Sequence, residues 1–145
     1  MNAIRVKILK EGAQLPAYGS IEAAGADLYA CLPEPVEIAP NTTAFIPTGI
    51  ALEVPKGCAG LIYARSGMAC KHGLAPANKV GVVDSDYRGE IIVALHNHGT
   101  LTKTVSHGER IAQFVITPVL TPIYEVASEL SGTERNTGGF GSTGK

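Results

Sequence analysis

Glycine and proline residues divide this 145-residue chain into short apolar segments, and this division limits the folds open to it. The chain contains 17 Gly and 9 Pro. The runs rich in Val, Ile and Ala that lie between them are 4–9, 26–31, 43–47, 50–54, 60–64, 80–83, 90–97 and 110–116. Turn signals about every ten residues are typical of an all-β sandwich or barrel. Because no long segment shows the 3.6-residue apolar period of a helix, the sequence predicts an all-β domain.

One short helix is expected near the middle of the chain. Ser66 precedes the segment GMACKHG, and a serine can cap the start of a helix. Gly73 can end the helix in a left-handed conformation. We therefore predict a helix of about two turns from Ser66, within an otherwise β-rich chain.

Composition and charge exclude several classes of protein. Hydrophobic residues make up 45% of the chain and charged residues 17%, which is typical of a globular domain. The formal charge of -1 disfavours generic nucleic-acid binding, which usually needs a basic excess. We expect no membrane contact, because no apolar run approaches the roughly 20 residues that span a bilayer. We see no signal-peptide pattern. Three widely spaced cysteines indicate reduced thiols in a cytoplasmic protein.

The composition changes at residue 131, so we divide the chain into a β domain, 1–130, and a flexible tail, 131–145. The tail has five Gly and five Ser or Thr, and it cannot bury enough apolar surface to fold alone. Its simplest interpretation is a disordered terminus. The alternative is a segment that becomes ordered over an anionic ligand, because it also carries Arg135 and Phe140.

Residues 78–90, NKVGVVDSDYRGE, form the densest polar cluster in the sequence. The cluster has two interpretations. It is either a charged hairpin turn, or it positions Asp84 beside the apolar Val82 and Val83 as a general base acting on water.

Arg65, Ser66 and Gly67 come at the end of a predicted strand, just before the predicted helix. Backbone N–H groups at a helix start attract phosphate, and Arg65 and Ser66 add side-chain donors. The simpler interpretation is a helix cap followed by a surface arginine.

The sequence resembles the trimeric deoxyuridine triphosphate nucleotidohydrolases (dUTPases). Their five motifs appear here in order: AGADL at 24–28, ARSGM at 64–68, GVVDSDYRG at 81–89, GERIAQ at 108–113, and RNTGGFGSTG at 135–144. Each motif alone is modest support, but five in register are highly specific. Two departures are apolar exchanges: Ala64 stands where the family usually has Pro, and Met68 where Leu is common.

The resemblance implies a distorted jelly-roll β-barrel and a homotrimer whose active sites are shared between subunits. It implies Mg²⁺-dependent hydrolysis of dUTP to dUMP and pyrophosphate, by water attack on the α-phosphorus. That reaction keeps uracil out of DNA and supplies dUMP for thymidylate synthesis. The tail of each subunit is expected to close over a site built mainly by its neighbours.

Residue roles follow from matching motif positions. Asp84 is implied to orient and deprotonate the attacking water, and Tyr87 to pack under the deoxyribose and exclude a 2′-hydroxyl. The residues implied to read uracil in a hairpin pocket, together with the main chain of Asp84, are Asn78, Val82, Val83 and Ile92. Those implied to hold the phosphates are Arg65, Ser66, Gly67 and Gln113. The tail residues implied to clamp the substrate are Arg135, Phe140, Gly141, Ser142 and Thr143, with Phe140 stacked on uracil. Asp27 matches a carboxylate linked to the metal, through water, or to the architecture of the site, with Mg²⁺ held mainly by the substrate phosphates.

Three other functions remain open from the sequence. A dCTP deaminase shares the fold and trimer of this family but needs a catalytic Glu and usually has a different third motif. A jelly-roll binding module would keep the shape without the chemistry. A dUTPase with an additional regulatory partner would carry the same motifs.

Overall fold

The computed structural model describes residues 3–139, which form twelve short strands and one helix. The elements are β1 Val6–Ile8, β2 Ala17–Tyr18, β3 Ala26–Tyr29, β4 Val36–Ile38, β5 Thr43–Pro47, β6 Ile50–Leu52, β7 Cys58–Tyr63, α1 Ser66–His72, β8 Leu74–Pro76, β9 Val80–Val83, β10 Ile92–Asn97, β11 Lys103–Val105 and β12 Arg110–Pro118. The predicted all-β class with one short helix is therefore confirmed.

The strands pair antiparallel in four sheets. The largest sheet has the order β2-β3-β12-β7-β9, and a three-stranded sheet has the order β5-β10-β8. Two further pairs join β1 to β6 and β4 to β11. β12 is the longest strand and lies at the centre of the largest sheet, between β3 and β7. This position brings residues far apart in sequence, such as Asp27 and Gln113, into direct register.

The core is built by alternating side chains. Along β10, Val93 and Leu95 are buried while Ile92 is half exposed, as expected for a strand with one face on the core. Asn97 continues the buried face, and its Nδ2 group donates hydrogen bonds of 2.8 Å to the carbonyl oxygens of both Ile38 and Leu101. The buried amide is thus satisfied and ties the end of β10 to β4.

The helix begins at Ser66 and ends before Gly73, as predicted. Gly73 adopts φ 69°, and its N–H bonds to the carbonyl of Met68. The capping residue differs from the expectation: Arg65 occupies the N-cap position in an extended conformation, and its side chain forms no capping hydrogen bond. Ser66 is therefore the first helical residue. The Arg65 guanidinium extends toward β3, where it contacts Asp27.

The last strand ends at Pro118, and residues 119–137 are exposed. The predicted domain boundary at residue 130 stays a prediction, since the chain leaves the sheets earlier and continues without further strands as far as residue 139. The one helix of the described residues has seven residues, too few to cross a membrane.

Candidate active site

A small pocket opens between β7, the edge strand β9 and the loop that leads to β10. Its volume is about 230 Å³. The predicted residues that line it are Asn78, Val82, Val83, Asp84, Tyr87 and Ile92. The structure thus brings together every residue proposed for uracil, deoxyribose and the attacking water, apart from the tail.

The apolar part of the wall of this hairpin pocket is open to solvent. Val82, Tyr87 and Ile92 are 61%, 45% and 46% exposed, although each is a large hydrophobic residue. β9 pairs only with β7 among the described strands, so part of its backbone N–H and C=O groups are free for another partner. An apolar slot beside an unpaired strand edge can hold a flat ring and hydrogen-bond its polar edge.

A second pocket, of about 400 Å³, lies where β3, β12 and the start of α1 meet. The predicted residues that line it are Asp27, Arg65, Ser66, Gly67 and Gln113. Gln113 is held by a 3.3 Å hydrogen bond from its Nε2 to the carbonyl of Ala64. Gly25 leaves room for this side chain, because a Cβ at position 25 would lie 3.1 Å from Gln113 Oε1.

Asp27 is the buried carboxylate of this second pocket. Its Oδ1 accepts a 2.7 Å hydrogen bond from Arg65 Nε, and its Oδ2 accepts a 3.3 Å hydrogen bond from Arg110 Nη1. Both carboxylate oxygens are therefore occupied by arginines. Among residues 3–139 no group of three or more His, Cys, Asp or Glu is placed to hold a metal ion. This donor set does not offer a protein cage for a cation.

Arg110 and Glu90 were not assigned roles from the sequence. Arg110 lines the second pocket, and it also lines a larger cavity of about 600 Å³ on the other side of Arg65. Glu90 lines the hairpin pocket. Arg110 lies within the motif at 108–113 and Glu90 directly follows the motif at 81–89, but the contacts that reveal them depend on strand pairings that the sequence does not display.

Arg135, the predicted tail residue that falls within residues 3–139, lines neither of these two pockets. Arg135 is exposed, and its Nε donates a 2.8 Å hydrogen bond to the carbonyl of Gly138. The other predicted tail residues, Phe140, Gly141, Ser142 and Thr143, lie outside the described residues.

The hairpin pocket and the second pocket have no lining residue in common. Asp84 thus belongs to one pocket, and the arginine and amide donors for an anion belong to the other. Neither pocket alone contains both the carboxylate and the donors that a site for a charged nucleotide would need.

Comparison with known proteins shows the family of the chain. The dUTPase family model matches residues 11–144. The chain belongs to the dUTPase family. Two relatives, both named deoxyuridine 5′-triphosphate nucleotidohydrolase, come from Syntrophotalea carbinolica (49% identical, covering 97% of this chain and 96% of the relative) and Maricaulis maris (48% identical, covering 99% of each). The family resemblance and the hydrolase class predicted from the sequence are confirmed.

Solved structures give the same result for the fold. The dUTPase of Staphylococcus bacteriophage 80alpha, solved with dUPNHPP, superposes with a TM-score of 0.91 at 29% identity, covering 100% of both chains. A mutant dUTPase from phage phi11 of S. aureus, whose structure reveals the coordination of a structural Mg(II) ion, superposes with a TM-score of 0.80 at 26% identity, covering 88% of this chain and 98% of that one. The predicted jelly-roll class of this dUTPase-family chain is thereby confirmed.

Proposed function

We propose that the protein hydrolyses dUTP to dUMP and pyrophosphate, with Mg²⁺, in a homotrimer whose sites are shared between subunits. The observation that carries the proposal is the hairpin pocket, in which an apolar slot, the Tyr87 ring and the Asp84 carboxylate lie together. Family membership and a relative solved with a dUTP analogue support the same substrate. In the cell this reaction keeps uracil out of DNA and supplies dUMP for thymidylate synthesis.

Base selection would come from the edge of β9. Uracil presents an N3–H donor and an O4 acceptor, whereas cytosine reverses both. Asn78 and the backbone between Val82 and Asp84 supply fixed donors and acceptors, so cytosine would leave polar groups unpaired. A site of this kind discriminates by roughly 10⁴-fold. Thymine would be rejected sterically, because its 5-methyl group needs room in a tight pocket.

Sugar selection would come from Tyr87. Its ring is folded against Gly89, since a Cβ at position 89 would lie 2.5 Å from Tyr87 Cζ. Its hydroxyl donates a 3.1 Å hydrogen bond to the carbonyl of Glu90. A ring fixed in this way presents a flat face under a deoxyribose and leaves no space for a 2′-hydroxyl.

Phosphate binding would use the second pocket. Arg65, Ser66, Gly67 and Gln113 provide cationic and neutral donors on one wall. Such groups stabilise the charge that develops on phosphoryl oxygens, and loss of one donor typically costs about 3 kcal/mol of barrier. Asp84 would accept the proton of a water molecule and orient it toward the α-phosphorus.

Mg²⁺ fits this site as an ion carried mainly by the substrate phosphates. Asp27 is already paired with Arg65 and Arg110, so it would reach the ion only through water. Mg²⁺ commonly keeps several waters and binds through substrate phosphates with few carboxylates. When bound, it screens phosphate charge and favours an in-line geometry.

Shared sites in a homotrimer would unite the two halves. One subunit would offer the hairpin pocket and a neighbour the second pocket, because neither pocket alone contains both Asp84 and the phosphate donors. The segment 119–130 also indicates association, since six large apolar side chains along it are exposed. They are Val119, Leu120, Ile123, Tyr124, Val126 and Leu130. The tail, with Arg135, Phe140, Gly141, Ser142 and Thr143, would then close over the triphosphate and the base.

A dCTP deaminase is the second enzymatic candidate, and Glu90 is the residue that would have to serve it. Glu90 Oε1 is engaged by Gly49 N at 2.8 Å and by Lys10 Nζ at 3.0 Å. A carboxylate held by two donors is poorly placed to transfer protons to a base. The pocket therefore favours the dUTPase reaction.

A nucleotide panel tests the proposal. Purified protein is incubated with Mg²⁺ and, separately, with dUTP, dCTP, dTTP and UTP, and the products are resolved by chromatography. We expect dUMP and pyrophosphate from dUTP alone. Ammonia released from dCTP would replace the proposal with the deaminase, and no reaction with any nucleotide would leave a binding module.

A further inference from the structure

The segment that follows the Tyr87 loop is held in place by a group of hydrogen bonds from one neighbouring segment. Thr48 N and Oγ1 donate to the carbonyl of Ile91 at 3.2 and 2.6 Å, and Ile91 N donates to the carbonyl of Ile50 at 2.8 Å. Thr48 and Ile91 are each 1% exposed. The backbone at residue 91 is therefore fixed in the core.

Glu90 extends this attachment by one residue, through its side chain. Its Oε1 accepts a 2.8 Å hydrogen bond from the buried Gly49 N–H and lies 3.0 Å from Lys10 Nζ. Gly49 has φ 70°, and a Cβ there would lie 2.7 Å from the Cβ of Ala13. Gly49 is thus held in a conformation and a space that suit glycine alone, so its N–H group is a rigid donor for Glu90.

The carbonyl of this same Glu90 accepts the hydroxyl hydrogen bond of Tyr87. We infer that Glu90 is a positioning residue for Tyr87, because the Gly49–Lys10 contacts of its carboxylate fix the carbonyl that holds the ring. The inference rests on the proposed function, in which Tyr87 excludes a 2′-hydroxyl. Glu90 thereby determines how strictly the pocket separates deoxyribonucleotides from ribonucleotides, through the Tyr87 ring that its carbonyl holds.

Four variants test this assignment through one ratio, kcat/KM for dUTP divided by kcat/KM for UTP. Glu90→Ala removes both carboxylate contacts, whereas Glu90→Gln keeps an acceptor for Gly49 N–H. Tyr87→Phe removes only the hydroxyl. Glu37→Ala is the matched control, since it deletes an exposed carboxylate on β4, outside both pockets.

We expect the ratio to fall about five- to tenfold in Glu90→Ala and in Tyr87→Phe, the scale of one lost hydrogen bond. Glu90→Gln should recover most of the selectivity, and Glu37→Ala should match the parent protein. The double variant Tyr87→Phe/Glu90→Ala should be no less selective than either single variant, because both substitutions act through the same hydrogen bond of the Tyr87 hydroxyl.

A purely structural Glu90 would lower the melting temperature and leave the ratio unchanged, and that result overturns the inference. If Glu90→Ala does not fold, Tyr87→Phe becomes the deciding variant. A parent-like ratio in Tyr87→Phe would show that the hydroxyl hydrogen bond, on which the inference depends, does not affect selectivity, and it would overturn the inference. Failure of the unsubstituted protein to hydrolyse dUTP is a different outcome. It refutes the proposed function itself, and the inference with it.

Discussion

Arg65 Nε lies 2.7 Å from Asp27 Oδ1, and this contact joins the start of the helix to β3 in the largest sheet. The side chain of Asp27 is 11% exposed and that of Arg65 is 24% exposed, so the pair is shielded from water. Arg110 completes the group from β12. The arginine that we propose to bind phosphate is thus held from behind by a buried carboxylate, and its Nη1 donates a further hydrogen bond of 3.5 Å to the carbonyl of Arg110.

Replacing Asp27 by Asn should weaken both folding and catalysis. The change leaves two guanidinium groups without their counter-charge, and breaking a buried pair is costly. Because Arg110 is half exposed, we expect the free energy of unfolding to fall by about 2 kcal/mol, which is less than for a fully buried pair. Denaturant titration measures it.

Glu53→Gln is the control for Asp27→Asn. Glu53 pairs with Arg5 on an exposed surface, and such a pair contributes less than about 1 kcal/mol. Equal losses in the two variants would show that the buried group has no special weight.

Asp84→Asn should bind a non-hydrolysable dUTP analogue with near-parent affinity and lose turnover. The amide cannot accept the proton of the attacking water, so we expect kcat to fall by about 100-fold or more. Asp86→Asn is a close control, because Asp86 is in the same loop and exposed but does not line the pocket. Steady-state hydrolysis and calorimetric binding give the two readouts. Parent-like kcat in Asp84→Asn would remove Asp84 from the mechanism.

Tyr87→Ala should relax discrimination against UTP, because it deletes the ring in the hairpin pocket that we propose to lie under the deoxyribose. We expect hydrolysis of UTP to approach that of dUTP as the latter falls. The measurement is kcat/KM for each nucleotide under the same conditions. A dUTP preference as strong as in the parent protein would contradict the steric role of the ring.

The sequence predicted the parts of this fold that are repeated locally. The apolar runs located eight of the described strands, and Gly73 located the end of the helix. The eight strands are β1, β3, β5, β6, β7, β9, β10 and β12. The short strands β2, β4, β8 and β11 escaped prediction, because proline, glycine or polar neighbours interrupt these segments before an apolar run can stand out.

The sequence predicted many of the residues that line the two pockets, but it did not predict which of their side chains contact one another. Motif matching named Asp27 and Arg65 separately, but their contact depends on the pairing of β3 with β12 and of β12 with β7. Glu90 likewise has no local signal, since its partners Lys10 and Gly49 are 80 and 41 positions away. Long-range antiparallel register is a property of the packed sheet, and one sequence alone does not specify it.

Gly60→Ala should destabilise the sheet beneath the hairpin pocket. A Cβ at position 60 would lie 2.7 Å from Phe114 Cε2, in a core strand between β12 and β9. Overpacking of this kind costs about 1–3 kcal/mol. Gly132→Ala is the control, because nothing lies within 4 Å of its added methyl group. Unfolding midpoints that shift equally in both variants would contradict the packing argument.

Two truncations separate assembly from catalysis. A chain ending at Leu130 keeps all the strands seen in residues 3–139 and the exposed apolar segment 119–130, and it loses Arg135 and the residues after it. We expect it to fold and associate as the full chain does, while kcat/KM for dUTP falls by about 100-fold or more, since tail donors to the phosphates are gone. A chain ending at Pro118 also loses the apolar segment and should fail to associate. Light scattering after size exclusion measures the mass of each assembly. Full activity in the chain that ends at Leu130 would show that the tail is dispensable.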